Sequence, residues 1–464
     1  MTTLALVPEV ISFSVIAGVN PIVSLLASVV LAVTMSILGG RPAMITAAAG
    51  SVALVIAPLV KAHGVEYVLP TVILGGLVQI VFGTAGLARL MRFIPRSVML
   101  GFVNALGVLI FMAQVGHLVD VPWLVYPLFA LTIAIILVLP RFTKAVPAPL
   151  VAIVVVTAAV VVGHLSVPNV GDEGPLTGGL PGITPLLVPL NLQTLQLIWP
   201  TALSVAFVGL METLLTAKLV DEMTETPSHK GRESWALGVA NIAAGLWGGI
   251  GGCAMIGQTV VNVRLGRART RISTLVAGLF LLALITGLST VMAQIPMVAL
   301  AAVMMVVAVT TVNWHSVRPA TLKRMPIPET IVMAVTIIVV VATGNLALGV
   351  LVGVILAMVL FARRVAHVIR VERTVDDDGS VRYEVHGPLF FGSSNDIVDR
   401  FAYALDPADV TVDFTQAQIW DASSVAALDS IATKYASHGV TVAFVGLDER
   451  SSTFHRRLSG TLGA

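Results

Sequence analysis

Two short stretches decide how this chain folds: residues 39–46 read GGRPAMIT, and residues 248–256 read GGIGGCAMI. Each contains a Gly-Gly pair followed shortly by Ala-Met-Ile, and each lies inside long apolar sequence. Glycine and proline weaken a helix, and these stretches hold more small residues than a lipid-facing helix requires. They therefore predict interruptions in two apolar helices.

The sequence around these stretches is typical of a membrane protein. Of its 464 residues, 57% are hydrophobic and only 11% are charged, whereas about a quarter of the residues in soluble domains are charged. A helix needs roughly 20 mostly apolar residues to cross a bilayer. Apolar runs predict fourteen transmembrane segments, near 4–19, 21–38, 43–60, 67–86, 97–116, 123–139, 146–164, 197–219, 234–247, 254–263, 272–292, 295–312, 327–343 and 346–362.

The polar loop 166–189 divides these runs into two sets of seven. Each glycine-rich stretch opens the third run of its set, so the two occupy matching places. An odd number of crossings per half places the second half upside down relative to the first. We therefore expect a 7+7 inverted repeat, in which interrupted segments at matching places mark the binding site of a transporter.

The distribution of Lys and Arg supports this count, because basic residues collect in cytoplasmic loops. The loop 166–189 has no Lys or Arg, and Lys61 is the one clear exception to a one-sided pattern. We expect the N-terminus and the C-terminal region to be cytoplasmic, in a multi-pass protein of the inner (plasma) membrane. The predicted cytoplasmic residues are Arg41, Arg89, Arg92, Arg96, Arg141, Lys144, Lys230, Arg232, Arg264, Arg267, Arg269, Arg271, Arg318, Lys323, Arg324, Arg363 and Arg364.

If each stretch begins a half-helix in mid-membrane, its free N–H groups and positive dipole end face a cavity and favour an anion. The predicted substrate-binding residues are those around the two starts: Ala43, Met44, Ile45, Thr46, Ala254, Met255 and Ile256. The alternative is that the glycines only allow close helix packing.

Two acidic residues lie in apolar runs, where a carboxylate is costly and usually faces a cavity or an ion path. Glu212 and Thr216 share one helix face at spacing i, i+4, and together could bind a sodium ion or carry a proton. Glu9, after Pro8, is a second candidate for ion coupling. The alternative for Glu212 is a structural carboxylate that bonds a neighbouring helix.

Three intramembrane asparagines, Asn104, Asn241 and Asn262, are interpreted as hydrogen-bonding links between helices. The single cysteine, Cys253, is interpreted as a small packing residue. It rules out an internal disulfide and gives no support for a structural zinc site. No cofactor is expected apart from the coupling ion.

From about Val371 the sequence becomes that of a soluble domain, so the expected division is 1–368 and 371–464. Apolar runs at 410–414 and 440–445 flank a helical pattern formed by Val425, Leu428, Ile431 and Tyr435. This order of elements predicts a small α/β domain.

Several of these motifs together resemble the SulP sulfate permease family with its C-terminal STAS domain. Residues 6–13 resemble the family's first helix, 39–45 its third, 211–216 its acidic eighth, and 259–264 with 269–271 the stretch after its tenth. The resemblance covers nearly the whole chain. One departure is that Met1 lies almost inside the first helix, whereas relatives usually have a preceding cytoplasmic segment, which indicates a misassigned or truncated start.

The resemblance implies a uracil-permease-like fold, substrate held between the third and tenth helices, coupling through the eighth, and assembly as a homodimer. The family's anions include sulfate, bicarbonate, chloride and dicarboxylates. In the STAS domain, Ala422 occupies the place of the phosphorylatable serine of anti-sigma-factor antagonists, which leaves Ser423 and Ser424 as weak regulatory candidates.

We therefore expect a secondary transporter that moves sulfate or bicarbonate by alternating access, coupled to Na⁺ or H⁺. An anion channel or exchanger, or a nucleobase permease, remains open on the same fold. A membrane anchor or sensor that presents the STAS domain is the alternative of another class. No catalytic constellation, phosphate loop or nucleic-acid-binding stripe is visible, so neither an enzyme nor a nucleic-acid partner is expected.

Overall fold

The computed structural model describes residues 2–143, 146–174, 181–189, 191–366, 369–376 and 379–461. Contacts divide the chain into two compact units, Met1–Val354 and Ile355–Ala464. The division falls within the helix Leu346–Ala366, whereas the sequence predicted it just after that helix.

Each of the fourteen apolar runs contains a helix. Seven helices in the described residues are long and apolar enough to cross a membrane, and five shorter apolar helices accompany them. The α-helices up to the end of α16, in which the first unit ends, are α1 (Thr2–Ala17), α2 (Pro21–Leu38), α3 (Gly50–His63), α4 (Val68–Thr84), α5 (Arg96–Val115), α6 (Val125–Phe142), α7 (Ala148–Val162), α8 (Leu192–Thr224), α9 (Lys230–Leu246), α10 (Ile256–Val260), α11 (Ile272–Ala293), α12 (Met297–Thr311), α13 (Trp314–Val317), α14 (Pro319–Arg324), α15 (Ile327–Thr343) and α16 (Leu346–Ala366).

These helices pack as two bundles. The first bundle consists of α1–α4 and α8–α11, and the second consists of α5–α7, α12, α15 and the beginning of α16. Each bundle takes equivalent helices from the two halves of the chain, as an inverted repeat requires.

Glycines set the closest helix contacts in both bundles. A Cβ added at Gly76 of α4 would lie 2.7 Å from the carbonyl oxygen of Gly238 in α9. In the second bundle, a Cβ at Gly101 of α5 would lie 2.7 Å from the Cβ of Thr336 in α15. Small residues let helix backbones approach closely. This close packing stabilises helix association in lipid, where burying apolar side chains gives no hydrophobic gain.

The two glycine-rich stretches are not helical where the sequence predicted half-helices to begin. They form strands β1 (Thr46–Ala48) and β2 (Gly252–Ala254), which pair antiparallel with Ala47 opposite Cys253. Buried side chains satisfy the outward-facing amides: Ala48 N–H donates to Ser28 Oγ at 3.0 Å, Gly252 N–H to Asn241 Oδ1 at 2.7 Å, and Ala254 N–H to Thr213 Oγ1 at 3.0 Å. This pairing matters because unpaired backbone groups are costly at membrane depth.

Helices resume directly after each strand. α3 begins at Gly50, and α10 begins at Ile256 and continues as a π-helical turn through Leu265. The interrupted third segments of the two halves are thus confirmed as features of the fold.

Beyond the end of α16, the described residues of the C-terminal unit form a four-stranded sheet and three helices. Its strands β3 (Arg370–Val375), β4 (Val381–Leu389), β5 (Asp409–Ile419) and β6 (Thr441–Val445) follow one another in the sheet, with only the β3–β4 pair antiparallel. The helices are α17 (Ser394–Val398), α18 (Ala422–Ser437) and α19 (Glu449–Leu458). Apolar side chains of α18, including Leu428 and Ile431, pack with Phe414 and other strand residues in one core. The predicted α/β domain is confirmed.

Candidate functional site

The starts of α3 and α10 face one cavity between the two bundles. The cavity has a volume of about 490 Å³, and α1, α5, α8 and α12 complete its walls. It brings together both helix starts and both intramembrane acids predicted from the sequence: Gly50, Ser51, Gly257, Gln258, Glu9 and Glu212.

Both helix starts present unpaired N–H groups. The first intrahelical bonds run from Ala53 N–H to Ala49 O and from Thr259 N–H to Met255 O. The preceding three amides of each helix therefore have no intrahelical acceptor. Neither Ala49 nor Met255 supplies a side-chain cap. These amides and the positive ends of the helix dipoles favour an anion in the cavity.

The two helix starts differ in the space beside them. A Cβ at Gly50 would lie 2.5 Å from the ring of Phe13, which packs against that backbone. A Cβ added at Gly257 would meet nothing within 4 Å. The open side of the cavity thus lies next to α10.

The structure corrects the predicted amide donors. Ile45 N–H donates to Thr259 Oγ1 at 3.0 Å, and Met255 N–H donates to Ile45 O at 2.9 Å. Ala254 N–H is bonded to Thr213, as described above, and none of residues 43–46 lines the cavity. The prediction was wrong for these amides because two threonine side chains and one backbone carbonyl already accept from them before each helix begins.

Of the seven predicted substrate-binding residues, only Met255 and Ile256 line the cavity. The other five residues do not line the cavity. Ala43 adopts a positive φ of 65°, and its carbonyl oxygen accepts from Asn262 Nδ2 at 2.9 Å. The Met44 carbonyl oxygen accepts from Thr274 Oγ1 at 2.8 Å. Thr46 is fully buried, and its hydroxyl has no hydrogen-bond partner in the described part of the chain.

Glu212 of α8 connects the two interrupted segments. Its Oε2 accepts a short hydrogen bond from the hydroxyl of Ser51, in the first turn of α3. The same oxygen lies 3.1 Å from Cys253 Sγ, in β2. Cys253 therefore does more than fill space, in contrast to its interpretation from the sequence.

Glu9 of α1 reaches the other helix start. Its Oε1 accepts from Gln258 Nε2 at 2.5 Å. A carboxylate thus stands beside each half-helix: Glu212 at α3 and Glu9 at α10.

Thr216 does not join Glu212 in one ion site. Its hydroxyl donates to Glu212 O at 2.8 Å and lies 3.1 Å from Ala254 O, so it holds the backbone of β2 rather than facing the Glu212 carboxylate. It is fully buried and does not line the cavity. The pairing expected from spacing i, i+4 was wrong because the threonine hydroxyl turned to backbone carbonyls.

Sequence reasoning missed Ser51 and Gln258. Both lie in the first turn of a half-helix, so the signal that could have found them was a polar side chain just after each interruption. The three asparagines are interhelical links, as expected. Asn104 Nδ2 donates to Ser316 Oγ at 2.9 Å, Asn241 Nδ2 to Gln79 Oε1 at 2.9 Å, and Asn262 Nδ2 to Ser273 Oγ at 3.1 Å.

A buried charged cluster holds the stretch before β1. Glu233 Oε2 accepts from Gly40 N–H at 2.5 Å and from Arg41 N–H at 2.9 Å. Arg41 Nη1 lies 3.2 Å from Asp221 Oδ1, and the residue is only 7% exposed. Arg41 is therefore a structural cation rather than an exposed loop charge, and Glu233 was missed because it follows Lys230 and Arg232 at a helix start.

In the C-terminal unit, the two candidate regulatory serines differ. Ser424 is fully buried, and its N–H and hydroxyl both donate to Asp421 Oδ1, at 3.0 and 2.8 Å. Asp421 thus caps α18 and holds the Ser424 hydroxyl inside the domain. The regulatory role of Ser423 and Ser424 stays a prediction. Ser423 is exposed, as is Ala422.

Comparisons with known proteins bear on this site. A model described as the sulfate permease family matches residues 1–126 and 123–336, and a STAS domain model matches residues 371–457. The chain is 46% identical over 459 residues to the putative sulfate transporter YbaR of Bacillus subtilis, covering 99% of this chain and 95% of the relative. It is 27% identical over 441 residues to the bicarbonate transporter BicA of Picosynechococcus, covering 83% and 76%.

Solved structures share the fold. The murine Slc26a9 anion transporter in the inward-facing state aligns with a TM-score of 0.84 at 16% identity, over 98% of this chain and 86% of that chain. The transmembrane domain of a cyanobacterial BicA aligns with a TM-score of 0.65 at 25% identity, over 77% of this chain and 94% of that chain.

Proposed function

Because the chain belongs to the sulfate permease family and ends in a STAS domain, we propose that it transports small inorganic anions, sulfate or bicarbonate, as a secondary active transporter. The observation that carries this proposal is the cavity into which two half-helices direct their free N–H groups. A tetrahedral or planar oxyanion can accept several hydrogen bonds from such amides at once. The family is one of transporters, and we propose no enzymatic activity.

The cavity also indicates how the anion leaves the site. It extends to Thr2 at the start of α1 and to Thr311 at the end of α12, which the predicted topology places on the cytoplasmic side. We therefore interpret the structure as inward-facing. Alternating access requires the first bundle to move relative to the second, so that the same site opens to the outside.

For the coupling ion we favour the proton over sodium. The Glu212 carboxylate is approached by two groups that can donate to it, the Ser51 hydroxyl and the Cys253 thiol. A neutral thiol is a poor ligand for a hard cation, which prefers oxygen.

The test is anion uptake into proteoliposomes under an imposed pH or sodium gradient, with sulfate, bicarbonate, chloride, fumarate and uracil as competitors. In Glu212→Gln we expect uptake to lose its dependence on the pH gradient. Glu222→Gln is the matched control, because Glu222 lies on the same helix but is exposed and outside the cavity. Unchanged gradient-driven uptake in Glu212→Gln would reject the role of this residue, and competition by uracil alone would reject the anion.

A further inference from the structure

A second cavity lies near the predicted cytoplasmic ends of α5 and α8, apart from the anion site. It has a volume of about 370 Å³ and adjoins a wider one of about 820 Å³, with which it shares Ala88, Arg89 and Lys230. We call the smaller cavity the basic groove. Its lining residues relevant here are Arg89, Lys218, Lys230, Met99, Leu214 and Leu215.

The basic groove is cationic at one end and apolar at the other. Lys218 lies one helical turn beyond Leu214 at the end of α8, Lys230 is the first residue of α9, and Arg89 precedes α5. All three cations are exposed. The apolar side chains lie deeper along α5 and α8, towards the centre of the predicted membrane.

The cations of the basic groove have no acidic partner among the described residues. None of Arg89, Lys218 and Lys230 forms an ion pair there. Two acids follow on α8: Asp221 is paired with Arg41, and Glu222, one turn beyond Lys218, does not come within ion-pair distance of it. The positive charge is therefore available to an anion.

A ligand that matches both ends of the basic groove has an anionic headgroup and an apolar tail. We propose that the basic groove binds an anionic phospholipid, with its phosphate at Arg89, Lys218 and Lys230 and an acyl chain along Met99, Leu214 and Leu215. Basic pockets between transmembrane helices on the cytoplasmic side recognise such headgroups. A free phosphate would leave the apolar half of the groove in contact with water.

The groove also spans the boundary between the bundles. Met99 belongs to α5 of the second bundle, whereas Lys218 and Lys230 belong to α8 and α9 of the first. A bound lipid therefore contacts both bundles, and its affinity depends on their relative position.

The test is native mass spectrometry of the purified full-length protein with added phosphatidylglycerol. In the double variant Lys218→Gln/Lys230→Gln we expect lipid retention to fall by roughly tenfold or more, since each cation near an anionic surface contributes substantially to binding. The control is Lys323→Gln/Arg324→Gln, which removes two exposed cations from α14, on the same predicted side.

Two outcomes overturn the proposal. Equal loss in both double variants would mean diffuse attraction to basic surface rather than a site. Displacement of the lipid by glycerol 3-phosphate at comparable concentration would mean that the groove recognises phosphate alone. Neither readout depends on transport, so the proposed function is tested separately.

Discussion

Asp406 in the C-terminal unit shows how a single carboxylate can organise a small core. Its side chain is fully buried and accepts from the hydroxyls of Tyr383 and Tyr435, each at 2.6 Å, and from Arg373 Nη2 at 2.8 Å. Burial opposes ionisation, but the hydrogen bonds from Tyr383, Tyr435 and Arg373 outweigh it and lower the pKa of Asp406. The same environment raises the pKa of Tyr435, through burial first and then the bond to Asp406.

We predict that Asp406→Asn destabilises this unit at neutral pH and much less in acid. Because the folded pKa is lower than the unfolded value of about 3.9, the charged form stabilises the fold above that pH, and this contribution is lost as the pH falls through the folded pKa. The expected loss at pH 7 is about 1–3 kcal/mol in the opening free energy of β4 amides, measured by hydrogen exchange.

The matched control for this prediction is Asp409→Asn, since Asp409 is exposed and forms no side-chain hydrogen bond or ion pair in the described part of the chain. A loss that stayed equally large below pH 3 would contradict the linkage.

At the cavity between the bundles, the sequence predicted the two acidic residues but not the side chains that donate hydrogen bonds to them. Glu9 and Glu212 were recognisable because a carboxylate within an apolar run is rare. Ser51 and Gln258 were not, because serine and glutamine are common links between helices and carry no such signal. Their roles depend on where each half-helix begins, which local sequence did not specify.

At the scale of elements, the apolar runs predicted the positions of the helices well, because a helix that crosses the bilayer needs a long apolar run. The two short strands were not predictable. Thr46-Ala47-Ala48 and Gly252-Cys253-Ala254 are buried throughout, so they lack the alternation that identifies a strand. Their pairing partner is also about two hundred residues away. The first half-helix consequently starts at Gly50 rather than near Ala43.

We predict that Gly252→Ala destabilises the strand pair. An added Cβ would lie 2.6 Å from the carbonyl carbon of Ala47 and 2.7 Å from Leu31 Cδ1. Overpacking of this kind typically costs about 1–3 kcal/mol, which a lower midpoint of thermal unfolding in detergent would reveal. Gly287→Ala in α11 should show no such loss, because a Cβ there meets nothing within 4 Å; equal midpoints for both variants would argue against tight pairing.

At the scale of the whole molecule, the positions of Lys and Arg predict which loops face the cytoplasm. The structure shows which of these cations are exposed and which, like Arg41, are buried. The orientation, the cytoplasmic location of the STAS domain and the homodimer stay predictions.

The orientation can be tested because the one cysteine, Cys253, is buried and can be replaced. In a Cys253→Ala background, Leu187→Cys, in the loop 166–189, should react with a membrane-impermeant maleimide in intact cells. Arg450→Cys, in α19 of the STAS domain, should react only after permeabilisation; both parent residues are exposed. Labelling of Arg450→Cys in intact cells would contradict the predicted cytoplasmic location of the STAS domain. The Cys253→Ala protein alone is the control for background labelling.

The ladder between β1 and β2 has a mechanical consequence. Three residue pairs join the strands just before α3 and α10 begin. Neither helix start can therefore shift without moving the other. In the alternating-access cycle that we propose, we therefore expect both helix starts to move together as one rigid unit. Their amides would keep a constant spacing, while water replaces the lining from α5 and α12 first on one side of the membrane and then on the other. Distances across the ladder should be invariant between inward and outward states, and every large displacement should fall at the seam between the bundles.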